Sequence, residues 1–383
     1  MPINNIEFDQ ETLLQEARDS AGLQDFGDNS FLPGLASLLE TYSSNNFTER
    51  ARKSLRRRML DLLVSRLQVE DAWKRFPESL KLPINRPLFL TGLPRTGTSA
   101  LLNVLANDPA TRELKLWEAH NPAPLDGLAE GEDDPRYLQV KAYYDRMNAK
   151  SDFKKIHHMT ADSAEECIYL TNHTFQDAGY GFEIFLDPYA RYYQQVDRRP
   201  QYQYHADLLR LLQWQRPADR WLLKAPSHLS HLEIILEQHP EAGIIITHRN
   251  PLEVVGSYSS MMMAVLPEQT QTDPEQMGQR VLEDLAGQVA HSMAAREHLD
   301  AARILDVHYT DFTSDTMEVV DEIYSHLGLP YSEETRTLIA NYVAEHPRGK
   351  HGSHDYQLDQ FGLSEQQVLD RFESYIKRYN IKV

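Results

Sequence analysis

The stretch Arg86-Pro-Leu-Phe-Leu-Thr-Gly-Leu-Pro-Arg-Thr-Gly-Thr-Ser99 constrains this chain most. An apolar strand runs into a loop bounded by Gly92 and Gly97, and then into the helix-like run Ala100-Leu-Leu-Asn-Val-Leu-Ala106. Successive backbone N–H groups in such a turn, followed by a helix N-terminus, make a concave site of partial positive charge for phosphate oxygens. The glycines have the spacing of the nucleotide loop G-x-x-x-x-G-K-[ST], but Thr98 stands at the lysine position. A triphosphate would lose its main cationic partner in the loop. Arg95 is the remaining cation. The loop therefore reads as a cradle for a shorter anion, held by amides, by the hydroxyls of Thr96, Thr98 and Ser99, and by one guanidinium.

A chain of 383 residues has room for one large α/β domain with helical additions, or for two domains. Its 39 basic and 57 acidic residues leave a formal charge of −18, which argues against nucleic-acid or anionic-membrane binding. Any anion must then be met by a local basic site. The single cysteine, Cys167, excludes an internal disulfide and points to a reducing compartment. The N-terminal Met-Pro-Ile-Asn-Asn-Ile-Glu has no basic or apolar leader region, and no run approaches the ~18 apolar residues of a membrane span. The expectation is a cytoplasmic protein without an integral membrane segment, its oligomeric state open.

Residues 1–80 carry helical periodicity, with Leu55, Met59, Leu62, Leu63 and Leu67 on one face and Arg52, Lys53, Arg56, Arg57 and Arg58 on the other. That basic face reads as a solvated or internally paired surface, with a membrane or partner site as the alternative. Residues 81–383 read as an α/β domain with a helical insertion at about 121–219. Strands are expected at Arg86–Gly92, Glu113–Trp117, Trp221–Lys224, Gly243–His248 and Arg303–His308. Ser163-Ala-Glu-Glu166 reads as a capping box that opens a helix, and Ser364 with Gln367 as the cap of the last one. Short apolar strands alternating with helices imply a P-loop-type parallel sheet flanked by helices, with ligands at the carboxyl ends of its strands. Those ends carry Arg95, Lys224 and Arg249, three cations converging on one edge. Phe175, Tyr180, Phe182, Phe185, Tyr189, Tyr192 and Tyr193 crowd one segment, either as packing or as the wall of an apolar acceptor site. The loop 264–276 reads as a possible lid.

The loop Pro94-Arg-Thr-Gly-Thr-Ser99, the turn Leu223-Lys-Ala-Pro226, the run Thr247-His-Arg-Asn-Pro-Leu-Glu-Val-Val-Gly-Ser257, and the patterns Tyr309-Thr-Asp-Phe312 and Leu327-Gly-Leu-Pro330 occur in order. Together they resemble bacterial sulfotransferases that use 3'-phosphoadenosine 5'-phosphosulfate, over about Arg86 to Pro330. The resemblance implies that the amides and hydroxyls of Thr96, Gly97, Thr98 and Ser99 cradle the 5'-phosphosulfate, with Arg95 on the transferred group. It also implies that Arg249 and Ser257 hold the 3'-phosphate. Arg348-Gly349-Lys350 is the counterpart of the family's C-terminal basic stretch, although it departs from the Arg-Lys-Gly-x-x-Gly form, and which cation contacts phosphate stays open.

Sulfuryl transfer needs a base for the acceptor's proton, positive charge on the transferring oxygens and stabilisation of the leaving 5'-phosphate. Glu118, at the expected end of the second strand and at the family's glutamate position, is the first choice of base; His120 and His228 are rivals. Lys224 is assigned to the bridging or leaving oxygen. No metal is expected, since no HExxH, CxxC or strand-end acidic pair occurs. The acceptor is a hydroxyl or amine of a small molecule or carbohydrate. A P-loop nucleotide kinase or hydrolase and a non-catalytic nucleotide-binding protein are the alternatives.

Overall fold

The computed structural model describes residues 8–125, 134–149, 159–177, 181–217, 219–266, 273–346 and 357–383. Strands that are apolar on both faces need helices on both sides of their sheet. That is what forms. β1 Leu88–Gly92, β2 Thr111–Glu113, β3 Arg220–Lys224, β4 Gly243–His248 and β5 Ile304–His308 make one parallel sheet in the order β2-β3-β1-β4-β5. In register, Leu90 lies beside Lys224 and Gly92 beside Thr247, so the ends of the three central strands meet on one edge. From β1 the chain runs to one side, to β2 and then β3, and crosses to the other side for β4 and β5, the arrangement that opens a crevice above the strand ends.

Alternation along each strand divides the core. Leu88, Leu90, Leu222 and Ile245 pack on one face with the helices Thr98–Leu105 and Thr316–His326. Phe89, Trp221, Leu223, Ile244 and Ile246 pack on the other, in a cluster continuous with the N-terminal helices, the insertion and the C-terminal helices. The first helices run Gln10–Ala21, Leu32–Ser44 and Glu49–Arg75. The basic face of the third is paired internally: Lys53 with Glu49, Arg56 with Glu16, Arg57 with Asp61 and Arg58 with the buried Glu183. Arg52 donates to the Tyr42 carbonyl at 2.8 Å and lies over the Phe8 ring. Phe175, Phe182, Phe185 and Tyr189 are buried in the core, so packing accounts for them; Tyr180 lies outside the described residues.

Three local expectations differ. β2 ends at Glu113, and Leu116–His120 is a helix, because Leu114 and Leu116 enter different apolar clusters and the Lys115 N–H turns back toward Glu118. Ser163–Glu166 opens no helix. Ala164 bridges Lys115, the Glu165 N–H donates to the Leu114 carbonyl, the Cys167 N–H donates to the Lys224 carbonyl, and the helix begins only at Ile168. The last helix is two, Glu365–Arg371 and Glu373–Arg378, with the Ser364–Gln367 capping box in place. Most of the 264–276 segment, residues 267–272, lies outside the described residues.

Behind β1, His228 and His239 lie against Phe89 and His205 lies against His228, each with a buried ring nitrogen that has no partner. Burial holds all three below the ordinary histidine range, His228 at about 3 and His239 at about 4. Such rings bind fewer protons folded than unfolded, so the stability of the neutral forms is complete above pH ~6.5 and is lost as the pH falls below it. We expect His205→Phe to remove about 2 kcal/mol of the loss in unfolding free energy between pH 7 and pH 5. Denaturant titrations of both proteins at the two pH values check this.

Candidate active site

The loop after β1 is held by close backbone approach. Gly92 and Gly97 have φ of 144° and 94°; a Cβ at Gly92 would meet Thr247 Oγ1 at 2.4 Å, and one at Gly97 the Tyr309 ring at 2.9 Å. Neither position tolerates a side chain. The Thr96 hydroxyl donates to the Leu93 carbonyl at 2.6 Å and is 2.6 Å from Thr247 Oγ1, both contacts buried. It therefore shapes the loop, and its hydroxyl is taken up by these contacts. The helix Thr98–Leu105 follows Gly97 with no side-chain cap, so its first N–H groups and dipole remain available.

Two charged groups flank this mouth. On one side Lys224, at the end of β3 and almost wholly buried, donates to Ser99 Oγ at 3.2 Å and to Glu166 Oε1 at 2.5 Å. The Glu166 side chain is 24% exposed, so its carboxylate is reachable while being held. Its neighbour Glu165 is buried, and burial pushes that carboxyl up to about 7 against the pull of Lys224. On the other side Arg249 donates to the Arg95 carbonyl at 2.9 Å, lies 4.2 Å over the Tyr309 ring and pairs with Glu253. Arg95 itself has φ of 68° and donates through Nε to Ser257 Oγ at 3.0 Å. Arg95, Ser99, Lys224, Arg249 and Ser257 thus come together around the loop, as their sequence positions suggest.

Other expected site residues are placed elsewhere. Glu118 is 2% exposed and lies on the helix Leu116–His120, with Oε1 2.6 Å from Arg112 and Oε2 3.1 Å from Arg216, the residue that caps the helix Arg199–Gln215 ahead of β3. Burial pushes its carboxyl up, but Arg112 and Arg216 outweigh that and hold it below the usual range. A carboxylate committed to two guanidiniums is a structural ion pair and not a base. His228 is buried, with Nδ1 2.8 Å from the Tyr202 hydroxyl, and at a pKa of about 3 has little affinity for an acceptor's proton. His120 is exposed at the end of its helix and bonds through Nε2 to the Tyr144 hydroxyl at 3.2 Å. Arg348, Gly349 and Lys350 lie outside the described residues. Sequence reasoning missed Glu166 as a site residue; its signal, the S-x-x-E pattern, was the same one that mimics a helix cap.

The sulfotransferase family model matches residues 87–333. The chain belongs to the sulfotransferase family. The matched span nearly coincides with the stretch of motifs in the sequence. This sulfotransferase is 24% identical over 299 residues to the omega-hydroxy-beta-dihydromenaquinone-9 sulfotransferase Stf3 of Mycobacterium tuberculosis, covering 75% of this chain and 74% of that one. Among solved structures, the sulfotransferase STF9 of Mycobacterium avium is 28% identical, with a TM-score of 0.90 over 100% of this chain and 99% of its own. STF1 of Mycobacterium tuberculosis is 30% identical, with a TM-score of 0.85 over 96% and 98%. Among the described residues no helix is long and apolar enough to cross a membrane, and no group of three metal-binding side chains occurs.

The geometry separates structure from chemistry at Glu118. Glu118→Ala leaves Arg112 and Arg216 without their shared counter-ion, and we expect it to lower unfolding free energy by about 3–5 kcal/mol. Nucleotide affinity of the protein that remains folded should be unchanged, as calorimetry at low temperature would register.

Proposed function

We propose that this sulfotransferase takes its sulfuryl group from 3'-phosphoadenosine 5'-phosphosulfate and passes it to a hydroxyl of a small molecule, with Glu166 as the general base. The observation that carries this reading is the Glu166–Lys224–Ser99 chain at the mouth of the loop, a carboxylate and a cation side by side where sulfur would be transferred. The hydroxyl is favoured over an amine because the named relative Stf3 is described by a hydroxylated acceptor.

The uncapped N-terminus of Thr98–Leu105 and the Arg95 guanidinium suit the 5'-phosphosulfate, and Arg249 and Ser257 suit the 3'-phosphate. In the reaction Glu166 accepts the proton of the acceptor hydroxyl, whose oxygen lone pair forms the new O–S bond. The S–O bond to the 5'-phosphate breaks, and the electron pair stays on that phosphate. Lys224 neutralises the charge gathering on the leaving oxygen, a role that its bond to Ser99 at the start of the helix after the loop supports. The absence of a loop lysine, with Thr98 in its place, fits a donor with one 5'-phosphate and a sulfuryl group better than a triphosphate.

Glu166→Gln should lower turnover by about 10²–10⁴-fold while the affinity for 3'-phosphoadenosine 5'-phosphate stays within about twofold. Retained turnover would rule Glu166 out as the base. In calorimetric titrations the wild type should bind 3'-phosphoadenosine 5'-phosphate more tightly than 5'-AMP or ATP. Arg249→Ala should erase that preference by about tenfold or more.

A further inference from the structure

The 3'-phosphate position carries an occupant of its own. Arg249 donates from Nε to Glu253 Oε2 at 2.8 Å, and its Nη2 contacts the same oxygen. A third donor, Nη1, goes to the Arg95 carbonyl at 2.9 Å, and the face of the guanidinium lies against Tyr309. Ser257, the second residue assigned to the 3'-phosphate, receives the Arg95 Nε–H at 3.0 Å. The Nε/Nη2 fork that a 3'-phosphate would grip is therefore engaged by Glu253, and a further Arg249 donor by the loop itself, while the Ser257 hydroxyl, an acceptor here, keeps its own proton to donate. Glu253 is one helical turn beyond Arg249 and its side chain is 48% exposed, so it can leave for water without burying a charge.

On the reading of Arg249 and Ser257 given above, we propose that Glu253 is a displaceable place-holder for the 3'-phosphate: a specificity-determining residue that acts through Arg249. A carboxylate carries one negative charge, whereas a phosphate monoester carries about −1.5 to −2 at pH 7 and presents three acceptor oxygens. The dianion outcompetes Glu253 for the guanidinium fork. A carboxylate, a chloride ion or a nucleotide lacking the 3'-phosphate does not. After transfer, the same carboxylate competes for Arg249 again and shortens the stay of the product 3'-phosphoadenosine 5'-phosphate.

The test is a calorimetric and stopped-flow comparison of wild type, Glu253→Gln and Arg249→Ala, with 3'-phosphoadenosine 5'-phosphate and 5'-AMP as probes. Glu253→Gln should bind 3'-phosphoadenosine 5'-phosphate about three- to tenfold more tightly, mainly through slower dissociation, with 5'-AMP affinity unchanged. Glu253→Ala, which cannot accept a hydrogen bond from Arg249, should behave the same way, and the thermal midpoint of each variant shows that it is folded. Unchanged or weaker affinity in both variants overturns the proposal, since Glu253 would then be idle or would be aligning Arg249 for phosphate. Equal tightening for 5'-AMP also overturns it, because the effect would not be tied to the 3'-phosphate. If Arg249→Ala keeps the full preference for the 3'-phosphate, it is the site assignment that fails.

Discussion

Cations gathered at one edge of a sheet repel one another until an anion arrives, and the architecture of this protein is a response to that repulsion. Lys224 is buried beside the helix that begins at Thr98, and Arg249 ends the neighbouring strand but one. Each carries a carboxylate, Glu166 in one case and Glu253 in the other. At separations of a few ångströms such pairs interact strongly once water is partly excluded. They let a chain of net charge −18 keep a positive mouth without a ligand.

The two pairs differ in how they are built. Glu253, in the first turn of the helix Pro251–Val265, lies four residues after its partner, so the contact is local and survives most changes elsewhere. Glu166 comes from another part of the chain and is delivered by backbone bonding: the Glu165 N–H to Leu114 and the Cys167 N–H to Lys224 lay the segment along the sheet edge. The root of the insertion thereby sets a carboxylate against Lys224 at the mouth of the loop. The N-terminal helices share the hydrophobic cluster that supports it, with Arg58 and Tyr42 bonded to Glu183.

This contrast also marks what the sequence could disclose. The placement of the loop, Lys224 and Arg249 at one sheet edge was legible because each is fixed by short-range pattern, an apolar run and a turn; Ser257 was singled out by the resemblance, and its place in the helix after Arg249 fits it. Paired arginines on the third helix were legible from composition. Glu166 was not, because its place depends on hydrogen bonds to residues far along the chain, and an S-x-x-E pattern has the same letters whether or not a helix follows. Glu118 misled for the opposite reason. Leu114 and Leu116 alternate as in a strand, yet their side chains enter separate clusters, and the carboxylate two residues on is drawn to Arg112 and Arg216.

The bond from the Cys167 amide to the Lys224 carbonyl has one more result. It seals the thiol against the sheet with no exposed surface, and burial pushes its pKa well up. A thiol so placed reacts poorly with maleimides and similar electrophiles. Since it is the chain's one cysteine, the native protein serves as its own silent background: a cysteine introduced on the surface would accept a fluorophore or spin label at a single address, without any residue near the crevice being altered first.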